Sequence, residues 1–391
     1  MQWKTKPFAV ASLAAFVALQ GAGCSDDSSG LTYPDQCEPT ETDEACYARV
    51  RDPESEQVQL ATQIAHRYID EHPATEEFWD WTSGVLMFAL TELYRVTGDA
   101  KVHDYYQEYM DFHIAEGYRL FWSDSCPPAL TALALLRDSE DASYRKVVDD
   151  VLEYLRTAPR TEDGGISHYG DIYPTIWVDS LFMFGMVLNR HGEIDDDAES
   201  LALMSEQLGI FQSILQDDNG LLVHADDWPY PFDTDIYWGR GNGWVTASLA
   251  DYLRILLLRG ESDPVASRMF EDHVNGVLET QDTPSGMWWT VMNRPGETYL
   301  ETSATALFAY GVARAYRYSL LGEGELDAAK RAMEAVENKV VTDEQGRPYV
   351  TEISGPTDVS TFEEYAAVPL EDDLSYGVGA VILGLIEISG L

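Results

Sequence analysis

Two kinds of helical segment alternate along this chain, and the alternation restricts the folds open to it. Six segments are rich in Ala, Leu, Gly, Met and Phe and poor in charge. They begin near Asp80, Asp124, Trp177, Trp238, Tyr299 and Asp373. Six charged, amphipathic segments, 55–72, 101–116, 142–156, 197–216, 265–280 and 326–341, each precede one of them. A helix that is apolar all round must be buried, whereas a helix with one apolar stripe lies outside it. Strand signals are sparse. The strict order, charged then apolar, predicts an all-α six-hairpin (α/α)6 barrel, with six inner helices ringed by six outer ones. It fills residues 51–391 and leaves no room for a second domain.

Four loops, 159–176, 218–239, 282–298 and 343–372, each lead into an inner helix. Antiparallel packing then places them on one face, at the inner N-termini. Helix N-termini carry partial positive charge and free N–H groups, so a funnel there suits an anionic ligand. The net charge of −43 argues against a nucleic-acid partner, which needs a basic patch to displace phosphate counterions. The acids are spread along the whole chain, as expected of a solvated acidic surface.

The N-terminus reads as a targeting segment over residues 1–23. Lys4 and Lys6 precede the apolar run Phe8–Leu19, which is too short to cross a bilayer but suits a signal-peptide core. Gly21-Ala22-Gly23 then leads to Cys24, which resembles a lipidation site of bacterial lipoproteins. The expectation is an exported protein anchored through Cys24, with a polar tether over 24–50; the alternative is ordinary cleavage and a periplasmic or secreted protein. In that setting Cys37 and Cys46 can close a small disulfide loop. No CxxC or clustered Cys/His pattern points to a metal, and no cofactor is expected.

Polar and aromatic residues gather at the inner N-termini: Trp79, Asp80 and Trp81; Asp124; His168, Tyr173, Trp177 and Asp179; His224, Trp228, Trp238, Arg240, Asn242 and Trp244; Tyr299 and Glu301; Ser375 and Tyr376. Flat rings beside carboxylates and histidines fit a carbohydrate site. Each residue also has a bland reading. An Asp at a helix start is most often an N-cap, and this is expected of Asp373 and open for Asp124. Trp177 and Trp244 could be core, and a lone loop histidine such as His168 or His224 is often incidental. Asp179 resists such a reading, because it sits between Trp177-Val178 and Leu181-Phe182-Met183. A buried carboxylate is costly unless paired or protonated, and a raised pKa is what a general acid needs. In Trp238-Gly-Arg-Gly-Asn-Gly-Trp244, three glycines around an arginine imply close backbone approach.

The run WGRGNGW, a preceding Gly-Leu-x-x-His element and Trp-x-Asp-x-Leu-Phe-Met together resemble glycoside hydrolase family 105, the unsaturated rhamnogalacturonyl hydrolases, and its cousin family 88, the unsaturated glucuronyl hydrolases. LETSATALFAYGVARAY and YGVGAVILGLIE are similar to late segments of that family, so the likeness runs from about residue 55 to 391. The resemblance implies Asp179 and Asp124 as catalytic carboxylates, with His168, Trp177, His224, Trp238, Arg240 and Trp244 binding substrate. It implies a substrate made by a polysaccharide lyase, whose terminal uronic acid carries a C4–C5 double bond. Asp179 would protonate C4 and later take a proton from the attacking water, with Asp124 keeping Asp179 partly protonated. Ser180 stands where Asp or Thr is common in the family, and HADDWP around His224 departs from its usual His-Gly-Trp-Asp. A conventional inverting glycosidase using Asp179 with Asp124 or Glu301, and a surface glycan-binding lipoprotein, are the alternatives.

Overall fold

The computed structural model describes residues 36–37 and 41–391. The expected signal segment, Cys24 and most of the tether lie outside the described residues. The chain forms α1 (Asp43–Val50), α2 (Glu56–Glu71), α3 (Trp81–Thr97), α4 (Ala100–Glu116), α5 (Ala129–Asp138), α6 (Ala142–Thr157) and β1 (Ile176–Trp177). It continues with α7 (Ser180–Met183), α8 (Gly185–Ile194), α9 (Ala198–Leu215), β2 (Ala225–Asp226), α10 (Gly239–Leu258) and α11 (Pro264–Glu279). The last elements are α12 (Thr302–Arg317), α13 (Glu323–Glu337), β3 (Val340–Thr342), β4 (Pro348–Val350), β5 (Ile353–Ser354), α14 (Phe362–Ala367), β6 (Leu370–Glu371) and α15 (Ser375–Ile388).

The inner helices close a ring. α3 packs on α5, α5 on α8, α8 on α10, α10 on α12, α12 on α15, and α15 back on α3. Each outer helix leans on an inner one: α4 on α3, α6 on α5, α9 on α8, α11 on α10, α13 on α12 and α2 on α15. This is the (α/α)6 barrel expected from the alternation. The inner helices bury nearly every side chain, from Ser83 to Leu93 in α3 and from Tyr376 to Ile388 in α15. Acidic side chains start many of the helices. Asp80, Asp99, Asp141, Asp197 and Asp263 each accept backbone N–H bonds as N-caps, which satisfies otherwise orphaned donors.

Close helix approach depends on glycine in α10. A methyl at Gly241 would stand 2.7 Å from Val178, and one at Gly243 would stand 2.9 Å from Leu307. Both are closer than carbon atoms normally approach, so the glycine-rich run lets α10 press against its two neighbours.

Three expectations are corrected. The tether does not extend to residue 50, because Asp43–Val50 is helical and buries Cys46, Tyr47 and Val50. Asp373 is not an N-cap: α15 has no side-chain cap, and Asp373 pairs with Arg67 instead. Asp124 is no cap of a long helix either. It lies in a short 3-10 turn, Ser123–Ser125, and α5 starts only after Pro127-Pro128. The disulfide between Cys37 and Cys46 is formed.

The C-terminal ends of the inner helices hold a buried ionic lattice. Glu387 contacts Arg51 at 2.6 Å, Arg314 at 3.2 Å and Arg317 at 3.3 Å. Asp251 contacts Arg190, Arg254 and Arg314 at 3.0–3.1 Å. Glu92, Glu193 and Asp43 complete it. These arginines and acids are held in their charged forms by one another against the cost of burial.

Candidate active site

At the opposite end, short strands lock the loops into a fixed wall. β1 pairs antiparallel with β2, with Ile176 opposite Asp226 and Trp177 opposite Ala225. The pairing continues as Val178 N–H donates to the His224 carbonyl at 2.8 Å. This holds Asp179, the next residue, beside His224. Ser123 N–H donates to the His168 carbonyl at 3.0 Å, which fixes the turn that carries Asp124 beside His168.

Two histidine–carboxylate contacts result. His224 Nε2 lies 3.2 Å from Asp179 Oδ2, and His168 Nε2 lies 3.7 Å from Asp124 Oδ1. Each imidazole stacks on one indole: His168 on Trp177 at 4.5 Å and His224 on Trp238 at 4.4 Å between ring centroids. The far nitrogen of each ring is also engaged. His168 Nδ1 is 3.0 Å from Ser180 Oγ, which bonds Ser123 Oγ, and His224 Nδ1 is 2.5 Å from Tyr365 Oη. The second nitrogen's partner fixes the orientation of an imidazole, so both rings are held.

The two carboxylates part company in acidity. Burial, then the charges of Asp179, Asp80 and Asp358, push Asp124 well above the usual carboxylate range. Burial also pushes Asp179 up, but the contacts with His224 and then His168 outweigh it and hold Asp179 below its ordinary value. Like charges in one pocket share a proton unequally. Asp124 is therefore the less acidic of the pair and Asp179 the more acidic, whereas the sequence raised the expectation of an elevated pKa at Asp179. The reason is His224, whose contact with Asp179 is a long-range pairing that no sequence neighbour betrays. Burial drives His168 down to about 4, so its ring is neutral near pH 7.

Several buried polar atoms here have no hydrogen-bond partner: Asp179 Oδ2, His224 Nε2, and the indole Nε1 of Trp177 and Trp238. The Asp179–His224 contact is close but not aligned for a full hydrogen bond. An unsatisfied buried polar group costs about 1–3 kcal/mol, and a cluster of them marks a place that a polar ligand completes. Among the described residues no group of three or more His, Cys, Asp or Glu is placed to hold a metal. Surface cavities of about 720 and 780 Å³ lie among other residues, one beside Arg331 and Glu334, one beside Arg95 and Glu193; neither includes the paired carboxylates.

Of the residues singled out by sequence, Asp124, His168, Trp177, Asp179, His224 and Trp238 come together. Arg240 and Trp244 do something else. Arg240 is buried, donates to the Ser354 and Gly355 carbonyls at 2.8 and 2.9 Å and to Thr357 Oγ1, and lies over the rings of Trp238 and Tyr376. These bonds pin the 353–357 segment, while the buried Arg240 Nε has no hydrogen-bond partner. Trp244 is wholly buried against Phe182 and Trp81 and belongs to the core. Glu301 caps α12, accepting from Ser303, Ala304 and Ser354 N–H. Tyr365 went unseen in the sequence. It lies 141 residues from His224 on the small helix α14, and only the folding-back of the loop 343–372 brings it in.

Known proteins share this architecture. The sequence pattern of Glycosyl Hydrolase Family 88 matches residues 56–391. The chain is 26% identical to the unsaturated rhamnogalacturonyl hydrolase YesR of Bacillus subtilis over 84% of its own length and 94% of that protein. It is 24% identical to an unsaturated 3S-rhamnoglycuronyl hydrolase of Alteromonas sp. over 54% of its length and 50% of that protein. A family 105 glycoside hydrolase of C. acetobutylicum superposes with a TM-score of 0.78 at 22% identity, covering 85% of this chain and 98% of that one. With a family match that runs almost from the first outer helix to the C-terminus, on a barrel whose inner N-termini carry the paired carboxylates, the chain belongs to glycosyl hydrolase family 88 and is a glycoside hydrolase.

Proposed function

We propose that this hydrolase removes a 4,5-unsaturated uronic acid from the end of lyase-generated oligosaccharides by hydrating the double bond. The observation that carries the reading is the unequal carboxylate pair, with Asp179 Oδ2 buried and unpartnered beside His224. A conventional inverting pair needs two carboxyl groups on opposite sides of the bond with room for water between them. Here Glu301 is spent as a cap, and the two remaining acids influence each other directly.

Asp179 is ionised in the free site. A substrate carboxylate entering the same pocket adds negative charge and raises its pKa, so binding draws in a proton. Asp179 then gives that proton to C4. Positive charge builds at C5, shared with the ring oxygen, and water adds there while returning a proton to Asp179. The C5 hemiketal opens, leaving a hemiacetal at C1 that expels the aglycone alcohol. Asp124, already protonated, donates a hydrogen bond to a sugar oxygen without adding charge. His168 and the tryptophans hold the ring. Export, with a lipid anchor at Cys24, is part of the same proposal and is supported by the sequence pattern alone.

The test is to follow the ultraviolet absorbance of the conjugated ene-acid with an unsaturated uronyl disaccharide, beside sugar release from its saturated counterpart. Loss of absorbance with no cleavage of the saturated sugar is expected. Asp179→Asn should lower kcat by about 10³-fold or more, since general acid–base transfer is worth ~10²–10⁴ and one group acts twice. Equal cleavage of both sugars, or an active Asn variant, would overturn the reading.

A further inference from the structure

His168 stands between two partners, and its ring proton can serve only one of them. Its Nδ1 is 3.0 Å from Ser180 Oγ, and its Nε2 is 3.7 Å from Asp124 Oδ1. Ser180 Oγ in turn donates to Ser123 Oγ at 3.1 Å. All three side chains on this chain of contacts, Ser123, Ser180 and His168, are buried, so water does not replace a missing partner. A serine hydroxyl has one proton and two lone pairs. With its proton given to Ser123, Ser180 meets His168 as an acceptor. The ring therefore donates from Nδ1. Burial keeps the imidazole neutral, with its pKa down at about 4, and a neutral ring that donates from Nδ1 has a bare Nε2. The backbone holds the parts in place: Ser123 N–H donates to the His168 carbonyl at 3.0 Å, and His168 N–H to the Thr175 carbonyl at 2.8 Å.

The bare nitrogen decides what Asp124 feels. A hydrogen bond donated to a carboxylate favours its charged form. Were the proton on Nε2, it would point at Asp124 Oδ1. On Nδ1 it points away, and a lone pair faces the carboxyl instead. Among the described residues none donates a hydrogen bond to the Asp124 carboxyl. The titratable groups around it are Asp179, Asp80 and Asp358, with Cys126, Tyr154 and Tyr169, and His224 stands on the far side of His168. None of those beside Asp124 is a cation. The tautomer of His168 is thus the one nearby feature that could relieve a charge on Asp124, and the two serines turn it the other way.

We propose that Ser180 and Ser123 are positioning residues: their hydroxyl pair locks His168 in the Nδ1–H form and so withholds from Asp124 the hydrogen bond that would favour its ionisation. The O–H of Asp124 then remains for the sugar. The catalytic meaning of the lock rests on the proposed unsaturated-uronyl hydrolase activity, whereas the lock itself can be read without substrate.

Long-range proton–nitrogen NMR of protein labelled with 15N-histidine tells the two neutral ring forms apart. The chain has 8 histidines, and the signal missing from His168→Gln assigns the ring. Wild type should show His168 protonated on Nδ1. Ser123→Ala frees the Ser180 proton to be donated to Nδ1, so the ring should turn over to the Nε2–H form. Ser180→Thr keeps the hydroxyl and should keep the Nδ1–H form. Unmoved signals from the other histidines show that each variant is folded. In turnover of an unsaturated uronyl disaccharide, read by ene-acid absorbance, Ser123→Ala should move the alkaline limb of the kcat/KM profile down by about one pH unit, as Asp124 gains a donor and ionises more readily. An Nε2–H ring in wild type overturns the inference whatever the activity. So does a Ser123→Ala protein with tautomer or alkaline limb unchanged. No absorbance loss with wild type overturns the activity and with it the catalytic meaning of the lock, while the ring spectrum still decides the lock.

Discussion

Replacing Asp124 or Asp179 by its amide should move thermal stability in opposite directions. Asp124 has a folded-state pKa above its unfolded value of ~3.9. The folded protein therefore binds the extra proton, and its stability is eroded as pH rises from the unfolded pKa through the folded one. Asparagine cannot ionise and escapes that loss. Asp179 is the reverse: its depressed pKa contributes stability that is present above ~3.9 and is lost as pH falls through the folded value. Each pKa unit is worth about 1.4 kcal/mol, or roughly 3 °C in Tm for a domain of this size. Asp179→Asn also relieves Asp124 of a like charge, which trims its loss, whereas Asp124→Asn removes no charge while Asp124 is protonated. Asp124→Asn should therefore melt above wild type at pH 7 and with it below pH ~4. Asp179→Asn should melt below wild type at pH 7. Calorimetry of the three proteins from pH 4 to pH 8 reads this directly. A higher Tm for Asp179→Asn than for Asp124→Asn at pH 7 would refute the proton assignment.

Tyr365→Phe removes the hydroxyl on His224 Nδ1; a bond of this kind is worth about 1–2 kcal/mol, so kcat should fall roughly tenfold with KM little changed, and the pH–rate profile should shift because His224 sets the acidity of Asp179. Glu387→Ala removes a buried anion from beside Arg51, Arg314 and Arg317, and the positive charge left in excess should cost about 3–5 kcal/mol in urea unfolding. Cys37→Ser opens a loop with a sequence separation of 9 residues; the loop entropy at stake is about 2–3 kcal/mol, and amide exchange should rise in Asp43–Val50 while turnover of the unsaturated substrate is kept.

The barrel was legible because burial dictates composition: a segment such as Val381–Leu385 admits almost no place but the inside. The outer segments fell within a few residues of their helices for the same reason, since one apolar stripe has one use. Asp179 and Asp124 were legible as chemistry against an apolar background. Their protonation was not, because it depends on His224 and His168, whose approach is set by strand pairing across loops. The glycines around Arg240 promised close backbone approach, and the family resemblance gave Arg240 a place on the substrate. The close approach is real, but it is made by the helix backbone, and the guanidinium is turned to Ser354 and Gly355. Nothing in the sequence separates the lattice arginines from ordinary cations at helix ends; Arg314 and Arg317 find their anions only when the inner helices converge.

The ionic lattice has a consequence for traffic through the enzyme. It closes one end of the ring of inner helices with charges that are almost inaccessible to water, so nothing passes through the barrel to the site at the other end. A polymer cannot thread it. On the proposed reading, a chain tip would reach Asp179 from the opposite face, and the released sugar would leave by the face through which it entered.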